Sequence, residues 1–184
     1  YLPDAACWII ALGLHVWLLR HQPDSRWTST MHVGTVLLFT CMIADSLALA
    51  IDHGALWNTS WAGVVFLVSA TAMLLALTRW AGKAAPLASA QGLSWPRDPH
   101  AKAYWWYAAL VRACLVYGGA LTTALVAEGV TDPLPYIPVL NPVDLSTMLA
   151  LAALALWRQM LATANPRPKG AGRLLGGGGL AAGA

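Results

Sequence analysis

The sequence predicts an all-α fold, an integral membrane bundle of five transmembrane helices with its N-terminus outside and its C-terminus in the cytoplasm. Of the 184 residues, 58% are hydrophobic and only 10% are charged, and the mean hydropathy is +0.58. A water-soluble domain of this size lacks the interior volume to bury so many apolar side chains. The ten tryptophans also suit a membrane protein, because indole rings concentrate at the membrane–water interface.

Five apolar runs are long enough, or nearly so, to cross a hydrocarbon core, which takes about 20 helical residues. We assign them as helices because an open strand in lipid leaves backbone groups without partners. Residues 1–164 are therefore predicted to form one transmembrane bundle, followed at 165–184 by a flexible Gly- and Ala-rich tail. The spans lie near 5–20, 29–51, 59–80, 103–127 and 143–163.

Basic residues give the bundle its predicted orientation. Ten of the eleven fall in the 1–2 and 3–4 connections or in the end of the last run and the tail, and none falls in the 2–3 or 4–5 connection. Since cytoplasmic loops are enriched in Lys and Arg, the odd-numbered connections are predicted to be cytoplasmic. The excess of Arg, Ala and Gly suits a GC-rich bacterial genome. The location that we expect for the chain is the bacterial inner membrane. The net charge of +3 is small and scattered, so nucleic acid is not expected as a partner.

The 4–5 connection contains the most distinctive stretch, DPLPYIPVLNPVDL at residues 132–145. Its end predicts a helix start, with Asn141 as N-cap, Pro142 at the first helical position and Asp144 where a capping-box acid sits. Three earlier prolines fix φ and favour extended backbone. The segment is either a stiff connector packed on helix ends or a ledge that faces a substrate. The earlier prolines are Pro133, Pro135 and Pro138.

This loop also carries a family resemblance. PLPYIPVLNPVDL, followed by an Ala/Leu-rich helix that ends in Trp157-Arg158, resembles the C-terminal part of a bacterial family of large polytopic membrane proteins, domain of unknown function 2339. The resemblance extends to Trp95-Pro96 and more loosely to the CWIIALGLHVWLLR opening and His32. It implies further spans upstream of this chain, and it implies no activity and no catalytic residues.

Two charged residues lie inside predicted spans. Asp45 is about 25 Å from the cytoplasmic end of span two at 1.5 Å per residue. It is either a hydrogen-bonded or neutral residue of the bundle, or a proton, cation or substrate site. Arg112 lies about 13 Å into span four. We expect it to snorkel to the cytoplasmic interface beside YWWY at 104–107, with direct pairing to Asp45 as the weaker alternative.

An acidic group is predicted at the outer face. Carboxylates beside a histidine can bind a divalent metal or act as an acid–base pair, but acids are also simply tolerated on the non-cytoplasmic side. No spacing is typical of a metal site, so we expect neither a metal nor a cofactor. The group comprises Asp52, His53, Glu128, Asp132 and Asp144.

The other reactive side chains have plain interpretations. The three cysteines fall within apolar runs and are expected to be small buried hydrophobes. The remaining histidines lie near cytoplasmic ends and are expected to be interfacial. These residues are Cys7, Cys41 and Cys114, and His15, His21, His32 and His100.

Two classes of function remain open. The first is a structural or assembly module that packs against its own upstream spans or other membrane subunits. The second is a transporter or membrane enzyme acting on an envelope lipid or glycan, with Asp45, the outer acidic group and the proline loop along its path. We favour the first, without an enzymatic activity, because no set of residues reaches the specificity of a known catalytic motif.

The orientation is testable by cysteine labelling in intact cells, in a background that lacks the native cysteines. Cysteine in place of Gly54 or Leu134 should react with a membrane-impermeant maleimide, and cysteine in place of Ala90 should not. The reverse pattern would contradict the predicted orientation.

Overall fold

A computed structural model of the chain describes residues 2–23, 25, 27–82, 97–126, 137 and 139–164. Within these ranges the regular structure is entirely helical. Several residues of the sequence predictions lie outside the described residues, together with the tail at 165–184. They are Glu128, Asp132, Pro133, Pro135 and Pro138.

The helices follow the apolar runs of the sequence to within a few residues at each end. The third long helix begins after a short turn, and the fourth span is assembled from three consecutive helical pieces. The elements are α1 (Leu2–His21), α2 (Thr28–His53), α3 (Ser60–Gly82), α4 (Arg97–Lys102), a π-helical segment (Ala103–Ala108), α5 (Ala109–Val126) and α6 (Pro142–Ala164).

Among the described residues, four stretches are long and apolar enough to cross a membrane, and α1 is a shorter apolar helix. Its apolar part, Ala5–His21, reaches only about 25 Å at 1.5 Å per residue, against a hydrocarbon core of about 30 Å. The predicted five spans are therefore four of full length and one that is short. The four are Thr28–His53, Ser60–Trp80, His100–Val126 and Pro142–Thr163.

The packed core lies where α3, α5 and α6 meet. Small side chains dominate it, so the helix backbones approach closely, which suits helix association in lipid, where no hydrophobic force drives helices together. The larger side chains of α3 fill the space between the alanines. The buried cluster comprises Leu67, Leu74, Ala109, Ala113, Val116, Ala120, Ala150 and Ala153.

The remaining pair, α1 and α2, lies beside this core. Helix α1 packs mainly on α2, and α2 in turn packs on the π-helical segment. Val36 of α2 joins Tyr104 and Ala108 of the π-helical segment in a second, smaller buried cluster. The bundle thus has a compact three-helix core and a two-helix layer attached to it chiefly through one helix.

The expectation that the cysteines are buried is wrong. Cys7, Cys41 and Cys114 are all exposed on the outer surface of the helices, with their thiols unbridged. In lipid an outward-facing position is as apolar as the interior, so a weakly polar thiol gains little from burial.

The core predicts a stability difference between two leucines. Leu74→Ala removes a side chain that is 0% exposed between three helices, and the cavity should destabilise the bundle by about 2–4 kcal/mol. Leu151→Ala on α6 trims a side chain that is 53% exposed and should cost under about 0.5 kcal/mol. Unfolding in mixed detergent micelles measures both, and equal losses would place the core elsewhere.

Candidate functional site

Asp45 lies in a groove between α1 and α2. Its side chain is exposed, and one carboxylate oxygen accepts a 3.0 Å hydrogen bond from the Trp8 indole of α1. The groove has a volume of 760 Å³ and extends to Asp52 and to Trp57, which follows α2. The structure therefore brings Asp45 and Asp52 to one groove, two turns apart on the same helix.

His53 is not among the residues that line this groove. Its Nδ1 is 2.7 Å from the carbonyl oxygen of Leu49, in the preceding turn of its own helix. The side chains of the described residues contain no group of three His, Cys, Asp or Glu that could hold a metal ion. The groove offers two carboxylates between tryptophans, a surface suited to hydrogen-bond donors and to organic cations.

Arg112 lies in neither of the two predicted environments. Only 4% of the residue is exposed, and its Nη2 donates to the hydroxyl of Thr40 on α2 and contacts the Met73 sulfur of α3 at 2.9 Å. The expectation that it snorkels to the interface is wrong, because its side chain turns inward between helices. The sequence held a signal for this position: Arg112 falls at helical spacing within the buried face of α5, which is formed by Ala109, Ala113, Val116 and Ala120.

A buried polar pair joins α2 to the π-helical segment. Nδ1 of His32, a residue that is 1% exposed, is 2.7 Å from the hydroxyl of Tyr104. The ring of His100 stacks on His32 with 4.2 Å between centroids, and Trp80 packs edge-on against Tyr104 at 5.2 Å. Sequence reasoning placed His32 and His100 at the membrane interface and did not predict that they contact each other. That contact depends on how three helices pack together.

The π-helical segment sets the geometry of this pair. The chain departs from helical dihedrals at His100, where φ is −121°, and then forms the wider turns of Ala103–Ala108. Such segments are rare in proteins and frequently occur at functional sites. One backbone oxygen of the segment, that of Trp105, lies 3.4 Å from the indole nitrogen of Trp157 on α6. A helix of the core therefore holds the irregular backbone.

Tyr104 also forms part of the wall of an apolar cavity of 360 Å³, which lies between α1, α2 and α3. Its walls are aliphatic and aromatic side chains, and Met73, the sulfur contact of Arg112, is one of them. The cavity lies within the spanning part of the bundle. Its residues include Leu12, Val16, Phe39, Leu77 and Trp80.

The start of α6 has the geometry of a capped helix. The Asn141 side-chain oxygen accepts a 2.9 Å bond from the N–H of Val143, and the helix begins at Pro142. Asp144, in the first turn of the helix, accepts a hydrogen bond from the N–H of Val139 at 3.1 Å. Val139 has φ of 72°, a conformation that β-branched residues rarely adopt, and the bond to Asp144 helps to hold it there.

Taken together, the described ranges form a helical membrane bundle with polar groups held at three separate places: the Asp45 groove, the buried Arg112, and the His32–Tyr104 pair. A family model matches residues 1–184, and the chain belongs to that family of predicted membrane proteins, DUF2339. No curated protein and no solved structure matches the chain. The family gives the chain its membrane character and leaves its role to be argued from these residues.

The polar pair predicts a difference between two tyrosines of the same segment. Tyr104→Phe removes the hydroxyl partner of buried His32 and should destabilise the bundle by about 1–3 kcal/mol. Tyr107→Phe is the matched control, because Tyr107 is 43% exposed, and it should leave stability nearly unchanged. Unfolding in detergent micelles measures both changes in the free energy of unfolding. Equal changes would mean that the His32–Tyr104 hydrogen bond does not stabilise the bundle.

Proposed function

We propose that this chain is a structural or assembly module of a bacterial inner membrane, in which the groove between α1 and α2 receives a further transmembrane segment. In this proposal the chain crosses the membrane five times with its N-terminus outside, and it forms the C-terminal part of a larger polytopic protein. The occupant is then an upstream span of the same protein or a span of another subunit. Membership in a membrane-protein family of unknown function is compatible with this role.

The observation that carries the proposal is the exposed side chain of Asp45 within a spanning helix. An acidic side chain costs about 2.5–3.5 kcal/mol at the centre of a membrane helix and less toward the interface, where Asp45 lies, and such residues usually face protein or water. Trp8 supplies one hydrogen bond, which leaves the carboxylate with further acceptor capacity. A neighbouring helix that brings a polar or cationic side chain would offset much of this cost.

The shape of the groove supports the same occupant. Small residues from both helices line it, namely Ala5 of α1 and Ser46 and Ala48 of α2. Small side chains allow two helix backbones to approach closely, and this is how transmembrane helices commonly pack. In addition, α1 packs mainly on α2 among the described residues, so these two helices, with Trp57 after α2, form the walls of the groove.

A second candidate is a transporter or membrane enzyme that acts on an envelope lipid or glycan. The observation that favours it is the buried His32–Tyr104 pair beside a π-helical segment, since an imidazole hydrogen-bonded to a phenol can relay a proton. Loss of host function in a Tyr104→Phe variant that accumulates normally would favour this candidate over the assembly role.

The assembly role predicts a specific cross-link. We expect a photoreactive benzoylphenylalanine in place of Ala48, in the full-length protein in native membranes, to cross-link to one defined transmembrane peptide. Asp45→Leu should abolish that cross-link and Asp45→Asn should weaken it, because the amide keeps hydrogen bonding and loses the charge. Mass spectrometry of the cross-linked peptides is the measurement.

His53→Gln is the matched control, because His53 adjoins Asp52 but does not line the groove. The cross-link should survive this change. Adducts to lipid alone at position 48 would contradict the proposal, and so would a peptide cross-link that persists unchanged in Asp45→Leu.

A further inference from the structure

Arg112 holds a permanent charge in the middle of a spanning segment. It lies twelve positions into His100–Val126, and the residue is 4% exposed. Placing a guanidinium at this depth is costly unless an anion compensates it. An arginine also has five N–H donors in a planar fork, and both contacts that the structure gives it use Nη2.

The groups around Arg112 in the described part of the chain do not supply a negative charge. Its contacts are a hydroxyl, that of Thr40, and a thioether, that of Met73. The Thr40 hydroxyl is also committed as a donor to the Val36 carbonyl at 2.7 Å, so it serves the arginine as an acceptor.

Met73 separates the guanidinium from the apolar cavity. Its sulfur contacts Arg112 at 2.9 Å, and the same side chain forms part of the wall of the 360 Å³ cavity. Methionine has three rotatable side-chain bonds and adapts readily to a neighbour. Through this one side chain the apolar cavity adjoins the buried cation.

We propose that this cavity binds a single-chain carboxylate amphiphile of the fatty-acid class, with the chain between α1, α2 and α3 and the carboxylate on Arg112. The carboxylate is a planar anion that matches the guanidinium fork with two parallel charge-assisted hydrogen bonds. It compensates the charge that the described residues leave uncompensated. The chain replaces empty volume with dispersion contacts to aliphatic and aromatic walls.

The size and depth of the cavity favour a single acyl chain over a helix or a phospholipid as its occupant. A helix measures about 10–12 Å across with its side chains and does not fit a space of 360 Å³. A phospholipid brings two chains and a bulky headgroup that stays at the interface, far from a residue in the middle of a span. A single acyl chain is narrow enough, and its small headgroup can follow it to that depth when a cation receives it.

Photolabelling of the full-length protein in phosphatidylcholine nanodiscs tests this site. The probe is a palmitate analogue with a diazirine on its chain, and labelled peptides are quantified by mass spectrometry. We expect labelling at the cavity walls around Phe39 and Leu77, and unlabelled palmitate in excess should compete with it. Arg112→Leu should reduce labelling at these positions at least tenfold, and Arg158→Leu, at an exposed position of α6, should not change it.

Two further measurements keep the proposal open to contradiction. The matching hexadecanol analogue, which has the same chain and no charge, should label the cavity at least tenfold less than palmitate. Ala76→Phe fills the cavity and leaves Arg112 in place, so it should also abolish labelling. If thermal unfolding shows that the Arg112→Leu variant is misfolded, the labelling of Ala76→Phe becomes the test of whether palmitate occupies the cavity. Equal labelling by the alcohol, or undiminished labelling in Ala76→Phe, would overturn the site. This inference does not depend on the assembly role.

Discussion

The close contact of α5 with α3 and α6 is the interaction on which the rest of the structure depends. In lipid the apolar side chains of separate helices gain nothing by leaving the solvent, so association rests on van der Waals contact between well-fitted surfaces. The alanine face of α5 provides that fit against Leu67 and Leu74 of α3 and the alanines of α6. Because α5 is held in this way, the π-helical segment that precedes it is held too, and α2 docks on that segment.

The polar side chains of the spans divide into two kinds. Most hydroxyls return a hydrogen bond to a carbonyl of their own helix, as Ser46 does to Met42 at 2.8 Å and Thr78 to Leu74 at 2.7 Å. These hydroxyl groups are hydrogen-bonded within their own helix and need no partner on a neighbouring helix. Asp45, Arg112 and the His32–Tyr104 pair instead find partners on other helices. A polar group that hydrogen-bonds to another helix constrains how the two helices pack. These positions are therefore the candidate functional residues of the spans.

Sequence reasoning recovered the helices because helix formation in lipid is a local requirement that hydropathy reports directly. It recovered the start of α6 for a similar reason, since Asn141 and Pro142 act on the backbone beside them.

Sequence reasoning misplaced Arg112 because distance along a helix says how deep a side chain lies but not which way it points. The inward direction followed from the alanine face that Arg112 shares. The His32–Tyr104 contact depends on the packing of helices far apart in the chain and on a π-helical segment that has no sequence signature. Of the predicted polar residues that the structure describes, Asp45 and Asp52 come to one groove.

The order of the core helices along the chain has a consequence for how the protein is made. Helix α3 is synthesised before its main partners, α5 and α6, and α6, which contacts both α3 and α5, is synthesised after both. The face of α3 that lies in the core therefore has neither of these two partners when α3 first enters the bilayer. The three-helix core can therefore assemble only after α6 has been inserted.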